Sequence, residues 1–144
     1  MKTNVFDIAK YILSKTGDIS AMKLQKLVYY SQAWSLVWDD KPLFESRIEA
    51  WVGGPVVPDL YQEHKGKFIV SFDDFKGNID SLSDDNKSTI DEVLNAYADK
   101  NAQWLSDLTH MEEPWLLARE GLTKSQRGNN EITLVSMGEY YSSL

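Results

Sequence analysis

The sequence predicts a mainly α, compact single-domain helical fold with a small β-hairpin or short sheet. Apolar residues recur at helical spacing in most segments of the chain, and only two short stretches carry the alternating pattern of strands. The 144 residues contain no internal repeat and no long Gly/Ser/Pro linker, so we expect residues 1–144 to form one domain. A composition of 42% hydrophobic and 26% charged residues is typical of globular proteins.

The first predicted helix lies close to the N-terminus. Asn4 and Asp7 have the spacing of a near capping box, and Gly17 is a natural C-terminal stop. Between them, apolar residues repeat at helical spacing at Val5, Ile8, Ala9, Ile12 and Leu13.

The second predicted helix is the strongest secondary-structure signal in the chain. It begins at Asp18 or Ser20 and ends before Pro42. The face that we expect to be buried consists of Leu24, Leu27, Val28, Ser31, Trp34, Ser35 and Trp38. Tyr29 and Tyr30 are adjacent on this helix and point in different directions, so we expect at least one of them to be exposed as an anchor for a partner.

Strand signals follow this helix. Residues 47–52 alternate as a short strand that runs into the Gly-Gly-Pro sequence at 53–55, and we expect residues 56–57 to extend it briefly. A short helix is predicted over Pro58–His64, because proline suits its first position. Residues 68–72 form a second β-like run, which we expect to pair with the first strand.

The C-terminal half is predicted to be helical after an irregular acidic loop at residues 73–82. Ser83 starts a helix whose expected buried stripe consists of Ile90, Val93, Leu94 and Tyr97. Two short helices are predicted next, one around residues 104–108 and one beginning at Pro114.

The last thirty residues combine a polar loop with a final helix. Residues 119–130 are rich in Gly and Asn, which predicts a mobile loop. Ser136 and Glu139 have the spacing of a capping box for a last short helix.

The charge of the chain is negative and unevenly distributed. Its net charge is −7, with 9 basic and 8 acidic residues in positions 1–68 but 6 basic and 14 acidic residues in positions 69–144. This balance is poorly matched to a phosphate backbone, so we expect no direct binding of nucleic acid. The acidic half either serves solubility or steers a basic partner, and charge alone does not distinguish these alternatives.

Several chemistries have no residues to support them. Cysteine is absent, and His64 and His110 are the only histidines, so we predict no metal site and no cofactor. No nucleophile elbow or phosphate-binding loop is present, so we predict that the protein is not an enzyme and has no catalytic residues. We expect His64 to make a surface contact or a contact with the dipole at the end of its helix. We expect His110 to bond a backbone carbonyl and to order the turn before Pro114. No apolar run is long enough for a membrane span and no signal peptide is apparent, so a cytoplasmic location is expected.

Three motifs resemble one known family. They are KLQKLVYYSQAW at residues 23–34, IEAWVGGPVVPDLY at residues 48–61, and Leu108-Thr109-His110 followed by Pro114-Trp115. In this order they resemble the Panacea domain, also called the SocA-like antitoxin domain, which occurs in phage-associated GepA-type proteins of bacteria. The resemblance runs from about residue 5 to residue 143, with only a loose match at the C-terminal end.

The resemblance implies an antitoxin of a type II toxin–antitoxin system, which would neutralise a cognate protein toxin by direct protein–protein binding. Two alternatives stay open: a proteolytic adaptor that delivers a toxin to a bacterial unfoldase–protease, and a phage-associated interaction protein of another kind. The motif positions that would either build the fold or bind the partner are Lys26, Leu27, Tyr29, Trp51, Gly54, Pro55, Val56, Pro58, Tyr61, His110, Pro114 and Trp115.

Overall fold

The computed structural model describes residues 3–144, and this part of the chain is mainly α-helical, with 57% of its residues in helices. In chain order, the elements are α1 (Val5–Thr16), β1 (Ile19–Ser20), α2 (Ala21–Trp38), β2 (Ile48–Trp51), β3 (Gly54–Val56), α3 (Pro58–His64), β4 (Ile69–Val70), α4 (Asp84–Tyr97), α5 (Ala102–His110), α6 (Glu113–Ala118), β5 (Glu131–Ile132) and α7 (Leu134–Ser142). The predicted fold class is confirmed. No helix within residues 3–144 has the length and apolarity needed to cross a membrane.

Helix α2 is the central element of the fold. It packs against α1, α4, α5 and α7, so buried side chains occupy almost its whole circumference over residues 24–33. Leu27 is fully buried, as predicted. The predicted stripe is wrong at its C-terminal end, where Trp34 is half-buried and Trp38 is 51% exposed. Neighbouring elements cover residues 24–33 of α2 and leave Met22 and Trp38, near its two ends, exposed to solvent.

The predicted starts of three helices are confirmed. Asn4 and Asp7 form a capping box for α1, and the side chains of Ser20 and Ser83 accept backbone N–H bonds at the starts of α2 and α4. The predicted capping box of the last helix is wrong. Thr133, which lies three residues earlier than Ser136, is the N-cap of α7 and accepts a bond from the Ser136 N–H.

Two small antiparallel sheets lie beside the helices. One has the strand order β3-β2-β5, in which Ala50 lies opposite Pro55 and Ile48 lies opposite Ile132. The other joins β4 to β1, with Ile19 opposite Val70. The predicted pairing of residues 68–72 with the first strand is therefore wrong. The segment pairs with the short β1 instead, which immediately precedes α2 and carries no strand pattern of its own.

Two segments expected to be loops are more ordered than predicted. Residues 73–82 include parts of two 3₁₀ turns, Phe72–Asp74 and Ile79–Ser81. The buried carboxylate of Asp7 accepts bonds from the Asn78 N–H at 2.7 Å and the Ser81 hydroxyl at 2.8 Å, so it fastens this segment to α1.

The loop at residues 119–130 also has a buried anchor. The Arg119 guanidinium donates to the carbonyls of Thr123, at 3.1 Å, and Gln126. The chain then enters β5, a short strand that the sequence did not indicate. This loop is therefore held at its base, contrary to the expectation of a mobile segment.

Candidate functional site

The hairpin formed by β2 and β3 gathers most of the sequence motifs. Its tip, Val52–Gly53, is exposed, whereas Gly54, Pro55 and Val56 are buried. The backbone φ of Gly54 is +121°, a value that residues with a side chain rarely adopt. A β-carbon built on Gly54 would lie 2.7 Å from Lys26 Cε and 2.9 Å from Thr109 Oγ1, so the hairpin approaches α2 and α5 as closely as glycine allows.

Five side chains donate hydrogen bonds to the backbone carbonyls of this hairpin. They belong to residues of α2, α5 and α6 and to Arg119, which follows α6 directly. The pairs are Arg119 Nη1 with Ala50 at 3.0 Å, Trp115 Nε1 with Trp51 at 2.8 Å, His110 Nε2 with Val52 at 2.8 Å, Ser106 Oγ with Gly53 at 2.6 Å, and Lys26 Nζ with Pro55 at 3.2 Å. A turn normally leaves such carbonyls to water. Here protein donors bind them in succession, and the hairpin is held in one conformation.

The histidine–tryptophan motif acts on this hairpin. His110 does bond a backbone carbonyl, as predicted, and this carbonyl belongs to Val52 at the tip of the hairpin. The His110 and Trp115 rings meet edge to face, with centroids 4.2 Å apart. Pro114 is buried in the first turn of α6 and helps to orient the helix that carries Trp115.

A groove of about 510 Å³ lies along the other side of the hairpin. The start of α2, the hairpin, α3 and the segment before β4 form its walls, and four of the predicted motif positions line it: Lys26, Trp51, Val56 and Tyr61. The rings of Trp51 and Tyr61 contact each other edge to face, with their centroids 4.9 Å apart. At the rim, Phe68 is 79% exposed.

His64 lies inside this groove wall and not at the surface, so the prediction of a surface contact is wrong. It is buried, and its Nε2 lies 3.0 Å from the Gln25 side-chain nitrogen. The Gln25 amide also accepts from the Val57 N–H at 2.9 Å and donates to the Val57 carbonyl at 3.3 Å. Burial lowers the pKa of His64, and the neighbouring Lys26 lowers this pKa further. The signal available in the sequence was the position of His64 four residues after Leu60, on the buried face of α3.

We expect the stability of the protein to fall as His64 is protonated. The pKa of His64 is lower in the folded state than in the unfolded state. Neutral His64 therefore makes its full contribution to the free energy of unfolding above the ordinary histidine pKa of about 6.5, and this contribution is lost as the pH falls through the pKa of the folded state. Urea unfolding between pH 7.5 and 5 measures this loss. His64→Gln should flatten the dependence on pH, whereas His110→Gln should leave it in place. An unchanged slope in His64→Gln would show that another group causes it.

Two lysines, Lys26 and Lys67, line the groove, and Lys26 is the buried one. Its side chain is 2% exposed, and burial lowers its pKa to about 8. At neutral pH it therefore still carries an ammonium group in a largely apolar setting.

The predicted exposure of Tyr29 or Tyr30 is wrong, because both are fully buried. The hydroxyls of Tyr30 and Tyr141 donate to Glu112 Oε1 at 2.6 and 2.8 Å, and Tyr29 Oη lies 3.0 Å from Tyr141 Oη. Burial raises the pKa of Glu112. Glu112 and Tyr141 lie far from α2 in the chain, so no local pattern could reveal this cluster. Tyr29 and Leu27 are thus core residues, unavailable to a partner on the folded surface.

The remaining predicted position, Pro58, is the first residue of α3, where its fixed φ favours the start of the helix. No group of three or more His, Asp or Glu side chains within the described residues is arranged to hold a metal ion.

Comparison with known proteins gives one family match. Residues 24–116, about two thirds of the chain, match the family described as antitoxin SocA-like, Panacea domain. The matched region begins in α2, includes the hairpin and most of the residues that line the groove, and ends within α6. No curated protein and no solved structure matches the chain.

Proposed function

Because the chain belongs to the antitoxin SocA-like, Panacea domain family, we propose that it is the antitoxin of a bacterial type II toxin–antitoxin system and neutralises a cognate protein toxin by direct binding in the cytoplasm. The family match is the observation that carries this proposal. Binding alone would silence the toxin, without a reaction catalysed by this chain.

The hairpin and its flanking groove are the surface best suited to the toxin. Five side-chain donors fix the hairpin before any partner arrives, so binding would lose little conformational entropy there. Exposed apolar side chains surround the tip: Met22, Val52, Phe68 and Met111. A rigid centre with apolar neighbours is the usual composition of an interface hot spot. Trp51 and Tyr61 would supply the aromatic contacts first expected of Tyr29 and Tyr30.

The experiment is co-expression of this chain with the product of the neighbouring open reading frame. We expect the neighbour alone to stop growth, and co-expression to restore it with a stable complex on size-exclusion chromatography. Val52→Asp should abolish rescue while leaving the fold intact, because Val52 is exposed at the hairpin tip. Val135→Asp is the matched control, since Val135 is an exposed valine that lies in α7, outside both the hairpin and the groove. Growth arrest that persists with the unaltered chain would refute the proposal.

The same strains separate neutralisation by binding from delivery to a protease. A toxin silenced by binding persists at an unchanged level in a complex. A toxin delivered to proteolysis would disappear only where the unfoldase–protease is present, and this outcome would replace direct neutralisation with the adaptor function.

The acidic half of the chain predicts electrostatic steering of a basic toxin. Asp84 and Asp85 are exposed in the first turn of α4. Reversing both charges should lower the association rate, while the free energy of unfolding changes by only about 0.3–1 kcal/mol for each lost interaction with the helix dipole. Stopped-flow association at rising salt concentration measures the effect. A rate that is insensitive to salt would exclude steering.

A further inference from the structure

The ammonium group of Lys26 is incompletely satisfied by the protein. Its Nζ donates to the Pro55 carbonyl at 3.2 Å, and this is its one hydrogen bond within residues 3–144. No carboxylate in that part of the chain lies within 4 Å of it. Two of its three N–H groups therefore have no hydrogen-bond acceptor within residues 3–144.

Anchoring the hairpin does not by itself explain a charged residue at this position. Burying an ammonium group costs several kcal/mol, and one hydrogen bond to a neutral carbonyl recovers only part of that cost. Buried charges in proteins are normally paired. An anion would supply the partner that Lys26 lacks in this part of the chain.

The surroundings of Lys26 restrict the kind of anion. The other buried polar groups of the wall are Gln25 and His64, and Gln25 bonds both His64 and the backbone of Val57. Lys67, at the rim, is paired with Asp74. The rest of the wall includes Met22, Trp51, Val56 and Phe68, so among residues 3–144 the groove combines apolar surface with one cation, Lys26, that has no carboxylate partner. A phosphate dianion would need more donors than this wall provides, whereas a single carboxylate matches it.

A chain end suits the groove better than an acidic side chain. An internal Asp or Glu would bring backbone N–H and C=O groups on both sides of it into an apolar setting where they find no partners. A C-terminal residue brings backbone groups on one side only, and its own side chain can contact the apolar wall. The volume of about 510 Å³ lies within the 300–1,000 Å³ range of pockets that hold small ligands.

We propose that this groove binds the C-terminal carboxylate of a polypeptide that ends in an apolar residue, with Lys26 Nζ as its ion-pair partner. The inference rests on the proposed function, since the polypeptide would be the toxin. It adds the chemistry by which the groove would recognise that toxin.

The test uses short peptides and the intact isolated chain. The probe is acetyl-Ser-Gly-Ala-Leu with a free carboxylate, compared with the same peptide ending in an amide. NMR shifts of the Trp51 indole and the Met22 methyl group report binding in the groove. We expect the free acid to bind at least about tenfold more tightly than the amide, because a charged hydrogen bond contributes about 1.5–3 kcal/mol. Equal affinities would overturn the proposal.

Two further probes identify the source of the carboxylate. An amide-ended peptide in which Glu replaces Leu should bind no better than the amide-ended parent peptide. N-acetyl-leucine should bind more weakly than the tetrapeptide acid. Tight binding of the glutamate peptide would assign the groove to an acidic side chain, and tight binding of N-acetyl-leucine would assign it to a small carboxylic acid. Either result would overturn the chain-end proposal.

Lys26→Met should remove the preference for the acid, and Lys67→Met should change the affinity less than about twofold, because Lys67 already has a carboxylate partner.

Should Lys26→Met fail to fold, the unaltered chain supplies a second measurement. Saturation with the free acid should raise the pKa of Lys26. NMR measures this pKa, and it also monitors His64 and Lys67, the other titratable groups of the wall. An unmoved pKa would refute the ion pair.

The inference and the proposed function can fail separately. If the Lys26→Met variant still binds the toxin and the unaltered chain binds no peptide, the carboxylate site in the groove is refuted and the antitoxin function is retained. Peptide binding without neutralisation of any neighbouring gene product would reject the antitoxin and keep the carboxylate site.

Discussion

Replacing Leu27 with alanine will lower the free energy of unfolding by about 2–5 kcal/mol. Leu27 is fully buried in α2, the helix that packs against α1, α4, α5 and α7. The substitution removes the γ-carbon and its two methyl groups from the centre of the fold. Because several helices meet there, the surrounding structure cannot collapse easily into the cavity that remains.

Chemical denaturation followed by circular dichroism measures the Leu27→Ala effect. The matched control is Met22→Ala on the same helix, since Met22 is 45% exposed. This control should change the stability by no more than about 0.5 kcal/mol. A Leu27→Ala protein that unfolds at the same denaturant concentration as the parent would contradict the central position of α2.

Replacing Gly54 with alanine will destabilise the hairpin by a similar amount, about 2–5 kcal/mol. The positive φ costs a residue with a β-carbon about 1–2 kcal/mol, and forcing that carbon against Lys26 and Thr109 adds about 1–3 kcal/mol. The displaced Lys26 would also lose its bond to Pro55. Partner binding should therefore fall together with stability.

Gly53→Ala is the control for this substitution. Gly53 is adjacent and exposed, and a β-carbon placed on it meets nothing within 4 Å. We expect the stability of Gly53→Ala to match that of the parent. Equal melting temperatures for the two variants would contradict the close approach of the hairpin to α2 and α5.

The candidate site illustrates a limit of sequence motifs. The two signatures, around Lys26 and around His110, are separated by more than eighty residues, and their spacing says nothing about a shared target. In the fold, Lys26, His110 and Trp115 all donate to carbonyls of the same hairpin. A side-chain hydrogen bond to a backbone carbonyl does not constrain the type of the acceptor residue, because every residue has the same carbonyl group. Sequence patterns therefore do not reveal such bonds.

Local patterns by themselves determined the mainly helical class, the caps at Asn4, Ser20 and Ser83, and the strand that enters the hairpin. These features depend on interactions within a few residues of the chain. The motifs also indicated the family, which the comparison over residues 24–116 confirmed.

Only the tertiary structure decided the burial of Tyr29, Tyr30 and His64, the exposure of Trp38, and the pairing of β4 with β1. The usual argument from a helical pattern assumes one buried face and one solvent face, and α2 violates it because other elements surround residues 24–33 on all sides. Likewise, the partners of Tyr30 and His64 come from Glu112 and Gln25, which lie 82 and 39 residues away in the chain. Burial and long-range hydrogen bonding depend on which elements meet, and sequence spacing does not encode that choice.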